Sequence, residues 1–396
     1  MSVWDTLVGQ DDAVAALRAA AQAAADLTHD RPVSAGAMTH AWLFIGPPGS
    51  GRSVAAQAFA AALQCERDAD IGCGQCPACR TVRAGSHPDV RSVVPDGLSI
   101  SVEEMRAVVA ASARRPALGR WQVVVIEDAD RLTERASNAL LKAVEEPAPR
   151  TVFLLCAPSS HPDDVSVTIR SRCRLIALRT PAAAAVAAVL VGDGMDAAMA
   201  DWAAAAGQGH IGRSRRLVRD AEARGRRAEV LAIPASLSSL RACLAAADHL
   251  VGAAEAESAA MSEELNSGET EALQIALGAG GTGKGTATAA RGTAGAVREL
   301  ERRQKSRATR TQRDALDRAL VDLAAFYRDV LLVHAGSHVA PAHPDFAADV
   351  GIVASRIGPA GVLRRLDAVL ACREALELNV KPRIAVEAMA AALRLP

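Results

Sequence analysis

The sequence predicts an α/β domain, a parallel sheet with helices on both faces, followed by an all-helical remainder. Three observations carry this. Residues 46–53 read GPPGSGRS, between the apolar run AWLFI (41–45) and the helix-forming stretch 54–63. Strand, glycine loop and helix in that order are the context of a phosphate-binding P-loop. Further short apolar runs at 89–94, 122–126, 151–155 and 173–178 alternate with helical stretches, as a parallel sheet covered on both faces requires. Beyond residue 180 the strand-like runs stop, and an alanine-rich, aromatic-poor sequence continues in helical patterns.

Each element has a local reason. Residues 41–45 are apolar throughout, as a strand buried on both faces is. Residues 54–63 contain no helix breaker. The strand at 89–94 precedes Ser101-Val102-Glu103-Glu104, a capping box that opens a helix to about Ala113. The strand 122–126 ends in Glu127-Asp128-Ala129-Asp130. Thr133 reads as the N-cap of a helix that runs to Glu146 and stops before Pro147. Strands at 151–155 and 173–178 complete the sheet.

The chain has 396 residues, half of them hydrophobic, enough for two or three domains with sizeable cores. No apolar stretch has the length of a membrane span, and MSVWDTLVGQDD lacks the apolar core of a signal peptide, so a cytoplasmic protein is expected. Formal net charge is zero, which leaves no compositional footprint for nucleic acid. One tyrosine and five phenylalanines argue against a base-stacking platform for single strands.

Four of the eight cysteines cluster as Cys65, Cys73, Cys76 and Cys79 in CERDADIGCGQCPAC. Four thiolates in fifteen residues, spaced by Gly72, Gly74 and Pro77, suit a closed tetrahedral Zn²⁺ site of structural type. A redox C-x-x-C pair is the competing reading. Cys156, Cys173, Cys243 and Cys372 sit in apolar or helical runs and read as inert buried thiols.

The P-loop candidate comprises Gly46, Gly49, Gly51, Arg52 and Ser53, with arginine where G-x-x-x-x-G-K-[ST] has lysine. Arginine keeps the charge but is a planar fork and not a point charge. Glu127 and Asp128, at the end of an apolar strand, form a Walker B arrangement, one acid for Mg²⁺ and one for the attacking water. Their order is the reverse of the usual Asp-Glu, which shifts each carboxylate by a methylene, and such misplacement slows chemistry. A nucleotide site that holds ATP and Mg²⁺ weakly, with little or no hydrolysis, is expected.

Together these residues resemble bacterial clamp-loader subunits of the AAA+ class, over roughly residues 1–225. Val8-Gly9-Gln10 resembles the family's adenine-side motif, and His40-Ala41-Trp42-Leu43-Phe44 leads into the P-loop as in the family. The cysteine knob after the P-loop helix, the segment NALLKAVEEP (138–147) and Ser171-Arg172-Cys173 are further matches. The resemblance implies that Arg172 is an arginine finger reaching the ATP site of a neighbouring subunit. It also implies gamma/tau and delta subunits, a sliding clamp and primed DNA as partners within the DNA polymerase III holoenzyme. Two subunit types fit: the ATP-hydrolysing gamma/tau motor, and the delta-prime type with a decayed site. Arg52, the Glu127-Asp128 order, Gly212 in place of the arginine of G-x-x-R, and Cys156-Ala157-Pro158 in place of a polar γ-phosphate sensor all favour the second. A zinc-bearing scaffold outside any ATP cycle is a further alternative.

The resemblance divides the chain into an AAA+ P-loop domain (1–178, with the zinc module at 65–79), a helical lid (179–224) and a helical oligomerising collar (225–396). Helices are expected at 237–254, 298–334, 361–378 and 386–393. GAGGTGKGTA (278–287) mimics a P-loop, but Gly285 follows its lysine and no strand precedes it. It reads as part of a low-complexity loop over about 278–296. The charged run 298–307 alternates in sign and reads as a solvated helix face.

Overall fold

The computed structural model describes residues 2–276 and 286–394. The chain forms two compact units, Met1–Pro95 with Ser99–Arg215, and Asp96–Leu98 with Arg216–Pro396.

The first unit begins with a turn of 3-10 helix, Val3–Thr6, and α1 (Asp11–Thr28). Then come β1 (Ala41–Ile45), α2 (Arg52–Leu63), α3 (Pro77–Arg83), β2 (Val90–Val93), α4 (Val102–Ser112) and β3 (Gln122–Ile126). They are followed by α5 (Glu134–Glu145), β4 (Thr151–Ala157), α6 (Val167–Arg170) and β5 (Arg174–Ala177). Helices α7 (Ala183–Gly192), α8 (Ala197–Gly207) and α9 (Ile211–Arg219) carry the chain to the division between units. The stretch expected as a separate lid therefore falls mostly within the first unit.

The sheet has five strands in the order β2-β3-β4-β1-β5, every neighbouring pair parallel. Ala41 lies opposite Phe153, and Trp42 opposite Arg174. The inner strands β3 and β4 are buried along their whole length, whereas the edge strands β2 and β5 are partly open. Strand alternation sorts the side chains by face. Trp42 and Phe44 pack with Leu17 of α1 and Phe59 of α2, and the Trp42 and Phe59 rings meet edge to face at 5.0 Å. Ala41 and Leu43 point the other way, into a core with Met105 of α4 and Leu140 and Val144 of α5. Both faces are covered, which explains why the inner strands read as unbroken apolar runs.

The helix starts follow their caps. The Ser101 hydroxyl accepts from the Glu104 N–H at 3.2 Å, and the Thr133 hydroxyl from the Ala136 N–H at 3.2 Å. Because β1, β4 and β3 are consecutive neighbours, the loops after them open on one edge of the sheet. That edge is where ligands bind in open parallel sheets.

The second unit is helical among its described residues: α10 (Ala221–Ser236), α11 (Leu240–Ala276), α12 (Thr286–His334), α13 (Ala347–Arg356), α14 (Pro359–Glu377) and α15 (Pro382–Ala392). Leu250, Leu316, Leu323, Phe326, Val369 and Val386 lie in its core. The carboxylate of Glu257 is gripped by Arg216 at 2.7 Å, Arg318 at 2.8 Å and Arg226 at 3.6 Å. Helices α11 and α12 run further than expected. Of the loop expected over about 278–296, residues 277–285 lie outside the described residues, and from Thr286 the backbone is helical. No single helix among the described residues is long and apolar enough to cross a membrane.

Candidate functional site

The P-loop leaves β1 with the Gly46 N–H donating to Pro158 O at 3.2 Å, which ties the loop to the end of β4. Gly49 has φ +86°, and a Cβ there would come within 2.7 Å of His210 Cβ. Only glycine combines that backbone with so close an approach. Gly51, at φ 90°, is the left-handed residue before α2, and no side chain caps the first turn of the helix. A helix start with uncapped N–H groups, preceded by glycines, favours an anion.

Gln10 stitches three segments together. Its Nε2 donates to Arg179 O at 2.6 Å and to Ser50 O at 3.3 Å, while its Oε1 accepts from the Arg179 N–H at 3.1 Å. The residue is 5% exposed. The N-terminal motif, the P-loop and the exit of β5 are thereby held as one piece.

Arg52 is half-buried in the first turn of α2, beside Ser53. Its Nη1 is buried and has no hydrogen-bond partner. Its charge opposes the rise that burial causes at Asp130 and Cys156. Glu127 accepts from Ser92 Oγ at 3.1 Å. Ser92 is on β2, the neighbour of β3 on the side away from β1. The first acid of the pair is thus engaged on the far side of β3 from the P-loop. Burial, reinforced by the charge of Asp128, raises the pKa of Asp130. Asp130, part of the acidic stretch but not chosen as a site residue from sequence, belongs to the same cluster. Cys156 is fully buried in β4 and its thiol is pushed up by burial.

Gly212 lies in the first turn of α9. Two nearby arginines are engaged elsewhere, Arg215 with Asp193 at 2.7 Å and Arg216 with Glu257 at 2.7 Å. The residue that reaches the P-loop from this segment is His210, against Gly49. The sequence offered no signal for that contact, because it depends on how α9 is placed.

Cys65, Cys73, Cys76 and Cys79 come together as expected. One sulfur from each lies within 4.8 Å of every other, and all four residues are buried. Cys65 Sγ and Cys73 Sγ are 3.8 Å apart. A tetrahedral shell with Zn–S bonds of about 2.3 Å has sulfur-to-sulfur edges of about 3.8 Å. The donors therefore fit a metal ion of that kind, and the cluster can hold one. Cys73 Sγ accepts N–H bonds from Gln75 at 3.4 Å and Cys76 at 3.3 Å, and Cys76 Sγ accepts from the Cys79 N–H at 3.4 Å. Such bonds stabilise thiolate charge. The Cys79 thiol draws Cys65 down to about 4, and the same contact pushes Cys79 up.

The knob is anchored on two sides. Cys79 Sγ donates to Ala61 O of α2 at 3.5 Å. At the N-terminus, Val3 N and Ser2 Oγ both donate to Gly72 O at 2.9 Å, and Trp4 Nε1 donates to Ile71 O at 2.9 Å.

Arg172 stands apart from this chain's own P-loop, on an exposed turn between α6 and the edge strand β5. Its Nη2 pairs with Glu145 Oε1 at 2.5 Å. Its Nη1 donates to Thr168 O at 2.8 Å and Ser171 Oγ at 3.2 Å. Glu145, the last residue of α5, was not singled out from sequence. A carboxylate at a helix C-terminus before Glu-Pro was the available signal.

Comparison with known proteins agrees with this geometry. The family model described as DNA polymerase III, delta subunit, matches residues 22–182. The chain is 41% identical over 149 residues to the DNA polymerase III subunit delta-prime of Pseudomonas aeruginosa, covering 37% of this chain and 45% of that one. It is 36% identical over 150 residues to that of Escherichia coli, covering 37% and 44%. It is also 36% identical over 138 residues to the subunit tau of Bacillus subtilis, covering 34% and 24%. The matches thus span less than half the length of these relatives. Over residues 22–182, which encode the parallel sheet and the P-loop, this chain is thus similar to DNA polymerase III delta-prime subunits.

Proposed function

We propose that this chain is a delta-prime subunit of a bacterial DNA polymerase III clamp loader, working in the cytoplasm beside gamma/tau and delta subunits. It helps load a sliding clamp onto primed DNA, which it meets through the complex. The observation that carries the reading is the family-model match over residues 22–182, a range that contains the P-loop, the cysteine knob and the 138–147 segment, together with 41% identity over 149 residues to a delta-prime subunit.

In this reading Gly46, Gly49, Gly51, Arg52, Ser53, Glu127 and Asp128 form a degenerate nucleotide site with weak affinity for ATP and Mg²⁺. The geometry supports this: Glu127 is bonded to Ser92, and Arg52 brings a fork where a slender lysine would reach phosphates. Arg172 acts in trans as an arginine finger on the γ-phosphate of a neighbouring motor subunit. Its exposure on an edge turn, away from its own P-loop, supports the role. A guanidinium there stays charged and stabilises negative charge developing in the transition state, an effect of about 10³–10⁵ in rate where such fingers operate. Cys65, Cys73, Cys76 and Cys79 would hold Zn²⁺, which in a closed four-sulfur shell has a structural role.

The tau relative at 36% identity supports a second reading, an active motor of gamma/tau type. ATP turnover by the isolated chain separates the two. The delta-prime reading expects negligible turnover. Turnover like that of a motor subunit, abolished by Arg52→Ala, would establish the alternative.

A further inference from the structure

We propose that Glu145 is a positioning residue for Arg172, holding the guanidinium ready for the neighbouring nucleotide. The inference rests on the reading of Arg172 as a finger.

Glu145 ends α5. A carboxylate is disfavoured there, because the carbonyl end of a helix carries partial negative charge. Arg172 supplies the compensation at 2.5 Å. Both side chains are substantially exposed, 37% for Arg172 and 43% for Glu145, and exposed pairs contribute little to folding stability. The pair does restrict orientation. With Nη2 on Glu145 and Nη1 on Thr168 O and Ser171 Oγ, the planar head is fixed from two directions while remaining open to solvent. An arginine so held has less conformational freedom to lose when it meets a phosphate, and a small displacement of such a group slows a reaction strongly.

The same helix connects the finger to this chain's own site. Helix α5 starts at Glu134, a few residues after the Glu127–Asp130 cluster, and ends at Glu145. Leu140 and Val144 anchor it in the sheet core. Glu145 is thus mounted on a rigid element and not on a loop, as a positioning group should be.

The test uses the reconstituted clamp-loader complex, stimulated by clamp and primed DNA, with this chain as wild type, Arg172→Ala, Glu145→Ala, Glu145→Gln or the double alanine variant. Assembly is followed by gel filtration. The expected result is that Arg172→Ala lowers kcat. Glu145→Ala cuts the part of the rate that depends on Arg172 by about 5-fold, with KM for ATP unchanged, because the finger acts on the transition state. Glu145→Gln retains an acceptor oxygen and falls between Glu145→Ala and wild type. The double variant matches Arg172→Ala alone. If Arg172→Ala leaves the rate intact, the finger reading fails, and this inference with it. If Arg172→Ala lowers the rate and Glu145→Ala does not, or raises it, the positioning role alone is overturned. A further loss from Glu145→Ala in the Arg172→Ala background would mean a general structural role and also overturn it. Should Glu145→Ala fail to assemble, the isosteric Glu145→Gln decides, and a wild-type rate there contradicts the proposal.

Discussion

Asp89 is 2% exposed, and three backbone amides account for its burial. Its carboxylate accepts from the N–H groups of Ala117 at 2.6 Å, Leu118 at 2.8 Å and Gly119 at 2.6 Å. Burial alone would raise its pKa. The amide bonds, helped by His87, outweigh it and hold the group below the ordinary carboxylate value. A depressed folded pKa contributes stability that is present above the unfolded value, about 3.9, and is lost as pH falls through the folded value. Asp89→Asn should destabilise the first unit by about 1–3 kcal/mol at neutral pH. It should also flatten the acid limb of the stability curve, measured by urea unfolding between neutral and acid pH. At the P-loop, Gly49→Ala meets both an unfavourable φ of +86° and His210 Cβ at 2.7 Å. A loss of about 1–3 kcal/mol is expected in thermal or urea unfolding. The sequence disclosed that position 49 is a loop glycine. It did not disclose the histidine, 161 positions later, that makes the glycine obligatory.

At the scale of elements, legibility followed the locality of the cause. The inner strands were legible because burial on both faces leaves unbroken apolar runs, and the helices α4 and α5 because Ser101 and Thr133 cap them. The outer half of α11 was not. Its polar sequence, SEELNSGETEALQI, carries no apolar stripe. Partners on α12 support it: Arg307 pairs with Glu269 at 2.6 Å and donates to Asn266 Oδ1 at 2.8 Å, and Gln304 donates to Asn266 O at 3.2 Å. The cysteine knob was legible from spacing alone, but its second task was not. Residues 71 and 72 receive the hydrogen bonds that fix Ser2, Val3 and Trp4, and Gln10 follows within the same segment. Removing the proposed Zn²⁺ with a chelator, or mutating Cys76 to Ser, should therefore expose Trp4. A red-shifted Trp4 fluorescence, read by difference against Trp4→Phe, and new proteolytic cleavage within residues 1–10 are expected, with far-ultraviolet circular dichroism largely kept. Thiolate ligands compete with protons, so acidification should promote the same change. Metal-free protein with an unshifted Trp4 signal would refute the coupling.

At the scale of the molecule, the proposed reading assigns Arg52 and Arg172 to two separate halves of ATP chemistry. The P-loop backbone is intact in form, with Gly49 and Gly51 in left-handed conformation and an uncapped helix start. Around it Arg52 stands where the motif has lysine and Glu127 is bonded to Ser92, departures that the proposed reading takes as a loss of hydrolysis. Arg172 lies on an exposed edge turn away from this chain's own P-loop, as the proposed finger role requires. The motifs for both halves were legible in the sequence. The bond from Ser92 to Glu127 and the pair of Glu145 with Arg172 were not, because each joins elements far apart in the chain. The most direct test compares two arginine variants in a reconstituted complex assayed for ATPase stimulated by clamp and primed DNA. The account predicts that Arg52→Ala leaves the rate near wild type, whereas Arg172→Ala lowers it with the complex still assembled. A rate abolished by Arg52→Ala and untouched by Arg172→Ala would contradict it.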